Sequence, residues 1–305
     1  MKIQPYKTMN SIELTATEPR KPKTTGRVNW RSSTPLSIND CRALSPAIFA
    51  ESKHESRSDR YTYIPTTDML EALMKEGFHP FSISQGGSRK EGKVAFTKHL
   101  IRLRHESTSL MTGGVQPEVV LLNSHDGTSS YQLSSGLFKV ACANGLIVAS
   151  SMFDSVRVLH KGEVLERVVN GCKELLGNFP KVEEQITRFM GIPMSLESQV
   201  QFASKSLVAR YTDPATCPPI DPRQLLIIKR PEDEEPTLWN VLNRVQEQLI
   251  MGGAGYVHTS TRGRTTHRRM RSLKGIDSNM AANRAIWQIA EDFADSLSGV
   301  IAMAS

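Results

Sequence analysis

The stretch Val94-Ala95-Phe96-Thr97-Lys98-His99-Leu100-Ile101-Arg102-Leu103-Arg104-His105 alternates in polarity and reads as a β-strand. Side chains two apart on a strand share a face, so Lys98, Leu100, Arg102 and Arg104 lie on one side and His99, Ile101, Leu103 and His105 on the other. Before it, residues 78–84 alternate as another strand, followed by a Gly86-Gly87 turn. A helix precedes that strand: Pro65-Thr66-Thr67-Asp68 marks its start, Met69, Leu70, Leu73 and Met74 form one stripe, and Gly77 ends it. After it, residues 118–124 make a third strand through Val119, Val120, Leu121 and Leu122. His125-Asp126-Gly127 is a tight turn, because Asp-Gly supplies left-handed backbone. Ser134 or Ser135 then caps an expected helix carrying Leu137, Phe138, Val140 and Ala141, which Asn144-Gly145 stops. Helix, three strands, helix predicts an α+β fold, with an antiparallel sheet of three to five strands and helices on one face.

The second half reads as mainly helical. Residues 161–176 place Val164, Leu165, Val168, Val169, Cys172 and Leu175 on one stripe, closed by Gly177. Shorter helical patterns follow at 182–190 and 194–209, then a proline-rich linker from Cys217 to Pro222. The acidic run at 232–235 precedes a helix at 236–250, where negative charge suits the N-terminal dipole. A last helix, about 278–297, packs Ile286, Ile289, Ala290 and Phe293. The chain thus divides into a flexible basic arm (1–40), an α+β core (41–210) and a helical C-terminal region (211–305) with a basic loop at 256–276. The polar, aperiodic start of the arm predicts disorder; the alternative is a strand docked through Ile12 and Leu14.

Charge is concentrated. Of a net +7 over 305 residues, residues 1–31 hold +5 and residues 256–276 hold +6, which leaves −4 for the rest. Arg262, Arg264, Arg268, Arg269, Arg271 and Lys274 occupy the second segment with His258 and His267 and no acid, after Gly252-Gly253-Ala254-Gly255. Such cations repel one another and call for a polyanion, and arginine forks onto phosphate oxygens. The bland alternative is a solvated loop that binds nothing. The four cysteines show no CxxC or Cys/His zinc spacing, and Cys142 and Cys172 fall in apolar helical patterns as reduced core thiols. With no signal-like apolar start and no long apolar run, the chain is expected to be cytoplasmic and not membrane-bound.

Two polar segments are too specific for ordinary loops: residues 54–65 (HESRSDRYTYIP) and residues 121–132 (LLNSHDGTSSYQ). With Lys98-His99-Leu100-Ile101-Arg102-Leu103-Arg104 and the stretch from Trp239 to Gly253, they resemble a bacterial family of plasmids and prophages. That family is domain of unknown function 932, the YfjQ/YafZ/YubP-like proteins. The resemblance spans roughly residues 45–298 and implies a mobile-element, cytoplasmic setting. It carries over no activity and no catalytic residues.

The candidate nucleic-acid contacts are therefore read from the residues themselves. Arg57, Arg60, Tyr61 and Tyr63 interleave cations with rings, as single-strand binders do, or else pack in the core and pair with Glu55 and Asp59. Lys98, Arg102 and Arg104 line one strand face, a groove floor or a solvated row. The six cations of 262–274 complete the set. Asn123, His125 and Asp126 form a turn that is also the candidate reactive segment, with His99, His105 and Glu118 beside it. The functional expectation is a homo-oligomeric ring or filament that binds single-stranded DNA and anneals it with no cofactor or metal, and without ATP, since no phosphate-cradling GxxxxGK[ST] is present. In outline the unit is similar to the core of Rad/RecT/Erf-type single-strand annealing proteins, a fold-level analogy. The alternatives are a metal-dependent nuclease using His125 and Asp126, and a protein-binding inhibitor of host defence.

Overall fold

The computed structural model describes residues 27–52, 65–88, 90, 92–139, 144–147, 156–158, 163–211 and 213–304. Its main sheet is antiparallel, in the order β1 (Val28–Arg31), β2 (Phe78–Gln85), β3 (His99–His105), β4 (Val115–Asn123), β5 (Tyr131–Lys139) and β6 (Asn144–Ile147), and β7 (Val156–Val158) also pairs with β5. That makes seven strands among the described residues, more than the three to five expected. The strand expected from residue 94 starts later. Val94–Phe96 is a 3₁₀ turn whose Phe96 carbonyl accepts the amides of His125 and Asp126.

β1 and β5 overturn two expectations. Residues 28–31 pair along β2, so part of the expected arm belongs to the sheet, and the boundary at 40 falls inside α1 (Ile38–Leu44). Ile12 and Leu14 lie outside the described residues. The helix expected from Ser134 or Ser135 is strand, in register with β4 from Val115↔Lys139 to Leu122↔Gln132. The deciding signal is period two: Tyr131, Leu133, Ser135 and Leu137 all point inward and are buried. Leu137 and Phe138 therefore sit on opposite faces, about 180° apart, where a helix would have set them about 100° apart.

The helices are α2 (Thr66–Lys75), α3 (Val164–Met190), α4 (Leu196–Ala209), α5 (Leu238–Met251) and α6 (Ile276–Ala304). α2 ends as expected at Gly77, where φ is +84°. α3 runs through both Gly177 and Pro180, because its stripe stays in phase at Val168, Cys172, Leu175, Phe179, Val182, Ile186 and Phe189. Both breakers sit on the solvent side, and the lost backbone bond is outweighed by burial of that stripe. Cys172 is a buried free thiol, pushed up to about 12 by burial, as expected of a core cysteine; Cys142 lies outside the described residues. At α5 the cap is Thr237, and of the acidic run Asp233 is buried as counter-ion to Lys139 and Arg230.

One apolar cluster joins Ile48, Phe78, Ile101 and Tyr131 to Phe189 of α3, Trp239 of α5 and Trp287 of α6. The expected 41–210 and 211–305 units share this core. Helices also reach the second sheet face: Met280 of α6 packs on Leu100, Val120 and Leu122, and Arg284 donates to the Ser134 hydroxyl.

The expected basic loop is a β-hairpin, β8 (Gly255–Thr259) and β9 (Thr265–Arg269). Its root is anchored by buried Ala254 and Met270, and the Gln224 side chain donates to and accepts from the Gly255 backbone. Gly252 is obligatory there. Its φ is +75°, and a Cβ would sit 2.6 Å from the Met270 carbonyl oxygen.

Candidate nucleic-acid interface

β8 and β9 stand out from the body, with Arg268 opposite Tyr256 and Arg269 opposite Gly255. Arg262 and Arg264 sit in the exposed connecting turn, and Arg271 and Lys274 in the exposed segment that follows. None of the six pairs with a carboxylate among the described residues. Backbone pairing orders the chain while leaving the charges unneutralised, so no acid is needed to hold the segment in place.

A cavity of about 720 Å³ opens at the hairpin root, lined by Arg210, Tyr211, Tyr256, Arg268, Arg269 and Arg271. The Arg210 guanidinium lies 5.4 Å from the Tyr211 ring centre. From Arg271 the chain passes through Leu273, whose amide donates to the Ile250 carbonyl, to a second cavity of about 440 Å³ beside the start of α6. Three residue steps separate Arg271 from Lys274, at most about 10 Å of chain. This second cavity gathers Arg27, Lys90, Lys93, Lys98 and Lys274 around the Gly86-Gly87-Ser88 turn. It also holds two acids, paired as Lys93–Asp126 at 3.2 Å and Lys98–Asp277 at 2.6 Å.

The face of Arg102 and Arg104 is not an open groove. Glu118, buried on the neighbouring strand, accepts from Arg102 Nε and from Arg104 Nε, the latter at 3.0 Å. Arg102 also donates to the Leu137 carbonyl. Arg104 is stacked between Phe81 and Phe138, 4.2 and 4.8 Å from the ring centres. A strand pattern shows which residues share a face; it does not show that a carboxylate from β4 occupies it. Lys98 leaves the row as well, drawn to Asp277 of α6.

The Asn123-Ser124-His125-Asp126 segment separates in space. His125 points inward, its Nε2 3.0 Å from Thr66 Oγ1, and the same hydroxyl meets His99 Nε2 at 3.0 Å, Asn123 Nδ2 at 3.1 Å and Tyr131 at 3.3 Å. Asp126, also buried, turns away from that network, accepting from the Thr128 amide and hydroxyl and pairing with Lys93. Burial pushes its carboxyl up, but the Thr128 bonds and the Lys93 ammonium outweigh it and hold it below the usual value. The two residues therefore form no acid/base pair, and among the described residues no three His, Cys, Asp or Glu side chains converge on one point. Asp126 acts as a turn residue. Asp126→Asn is expected to keep the fold, since Asn still accepts from Thr128; a variant with a markedly lowered melting temperature would reverse this assignment.

The Thr66 network makes stability depend on pH. Burial pulls the His99 imidazole down to about 4 from its ordinary 6.5, against the opposing pull of the Thr97 carbonyl and Asp126. Between these values the unfolded chain binds a proton that the folded chain refuses, so stability is full above pH 6.5 and is lost as pH falls towards 4. The melting temperature is expected to drop across that window, and a flat profile would count against it.

Arg57, Arg60, Tyr61 and Tyr63 lie outside the described residues. Residues 53–287 match the family described as Domain of unknown function (DUF932). The chain belongs to this family. It is similar to two proteins of Escherichia coli (strain K12), UPF0380 protein YafZ and UPF0380 protein YfjQ. Each is 41% identical to it over 261 residues, which cover 86% of this chain and 92% of the relative. No solved structure matches. The family span includes both cavities' central residues and the hairpin, and it leaves out β1 and Arg27. Arg210, Tyr211 and Tyr256 were absent from the sequence candidates. Their one local signal is an Arg-Tyr pair closing α4, which gives no hint that a hairpin 45 residues later will face it.

Proposed function

We propose that this protein binds nucleic acid, single strands in preference to duplex, through the β8–β9 hairpin and the cavity at its root. One observation carries the reading: six cations on one exposed hairpin and its exit segment, with no carboxylate partner among the described residues. Each phosphate contact releases condensed counterions, which makes such a surface bind polyanions and bind them more weakly as salt rises. Tyr211 and Tyr256 beside the arginines support single strands, whose bases are available for stacking. The annealing analogy leaned on a cationic sheet face, and with Arg102 and Arg104 held by Glu118 the proposal is binding without annealing. The cytoplasm is the compartment the proposal implies; no helix among the described residues is long and apolar enough to cross a membrane.

The test is a titration of labelled single- and double-stranded DNA across salt, with a mass measurement of the unbound protein for the ring or filament. Tighter binding to single strands, with log K falling linearly in log salt, is the expected result. Absence of binding at physiological salt would redirect the hairpin to an acidic protein surface, and strand scission that needs a divalent ion would restore the nuclease alternative.

A further inference from the structure

Four guanidinium groups and two phenol rings line the root cavity, and no carboxylate does. Arg210 is its enclosed member. Nη2 donates to the Arg271 carbonyl, whereas Nε and Nη1 are shut from solvent without a hydrogen-bond partner among the described residues. Arg210 as a whole is half-buried and pairs with no carboxylate among the described residues, so an anion in the cavity it lines would supply the missing charge. Tyr256, which lines the same cavity, is half-buried on β8 and shares a strand face with Arg268. The volume of about 720 Å³ is in the range of small-ligand sites, about 300–1,000 Å³.

We propose that this cavity is the subsite for one nucleotide unit of a bound single strand, with the phosphate held by Arg210 and Arg271 and the base laid against Tyr256. The proposal rests on the single-strand reading above and locates the source of its preference. The hairpin cations are exposed and meet any polyanion alike. A base stacked on Tyr256 must first leave its neighbours, which a duplex resists and a single strand allows. Arg271 lines this cavity and precedes Lys274 of the second one, so the strand has a cationic exit path.

The experiment uses the full chain, oligo-dT of about 16 nucleotides, and an abasic oligomer of equal length that keeps the phosphates and removes the bases. Wild type is expected to bind oligo-dT at least about fivefold tighter than the abasic strand. Tyr256→Ala should erase that difference and leave the salt slope unchanged. Arg210→Gln should weaken both probes and lower the slope by about 0.7. Should Arg210→Gln lower the melting temperature, Arg210→Lys serves: it keeps the charge, loses the planar fork, and is expected to retain the slope with reduced affinity. Variants that bind oligo-dT like wild type, with the fivefold difference intact, would remove the subsite and leave the single-strand reading standing. A wild type that binds neither probe would remove both.

Discussion

Arg102→Glu combined with Arg104→Glu is expected to leave no folded protein. Glu118 is 1% exposed and accepts from both guanidinium groups, and the side chain of Arg102 is itself only 8% exposed. The double change removes both counter-ions and sets three carboxylates together between β3 and β4. Removing a single partner of a buried ion pair typically costs about 3–5 kcal/mol, because the remaining charge stays desolvated. Two such losses, with added repulsion, consume the roughly 5–15 kcal/mol that keeps a domain folded. The stacking of Arg104 between Phe81 and Phe138 is lost as well. Soluble expression and thermal melting by circular dichroism decide the matter, and a soluble double variant with a cooperative wild-type melt would refute it. Replacing Arg102 and Arg104 by Met and Glu118 by Leu should restore folding, since no buried charge is then left unpaired.

Neutralising Arg268, Arg269 and Arg271 to Gln has the opposite signature, with binding lost and folding kept. All three are exposed and none pairs with a carboxylate among the described residues, so the melting temperature should move little. On single strands the salt slope should fall by about 2, at about 0.7 per phosphate contact. At near-physiological salt that corresponds to a loss on the order of tenfold to a hundredfold in affinity, uniform across sequences. Anisotropy titrations at several salt concentrations measure it. An unchanged slope would move the phosphate contacts off the hairpin.

How much was legible in the sequence depended on the range of the signal. β2 to β4, α2 with its Gly77 stop, and the stripes of α3 and α6 follow from local periodicity, because burial of one face writes itself into every second or every third-to-fourth residue. The six cations of 262–274 were legible too, since a charge run without acids is a property of composition and requires no fold. Where local cues competed, packing decided. Ser134-Ser135 and Asn144-Gly145 imitate helix ends, yet eight paired positions against β4 hold residues 131–139 extended. Gly177 and Pro180 imitate a helix stop, yet the apolar stripe beyond them keeps α3 intact. Partners distant in the chain were not legible at all. Only the tertiary structure turns Glu118 onto Arg102, draws Lys98 to Asp277, parts His125 from Asp126 through Thr66 and Lys93, and sets Arg210 beside Arg271. By itself the sequence determined β2 to β4 and the helical stripes by period, and where the positive charge lies. Which charges are neutralised by the protein and which stay without a carboxylate partner among the described residues was decided by the fold, because a side chain's counter-ion comes from whatever element packs against it.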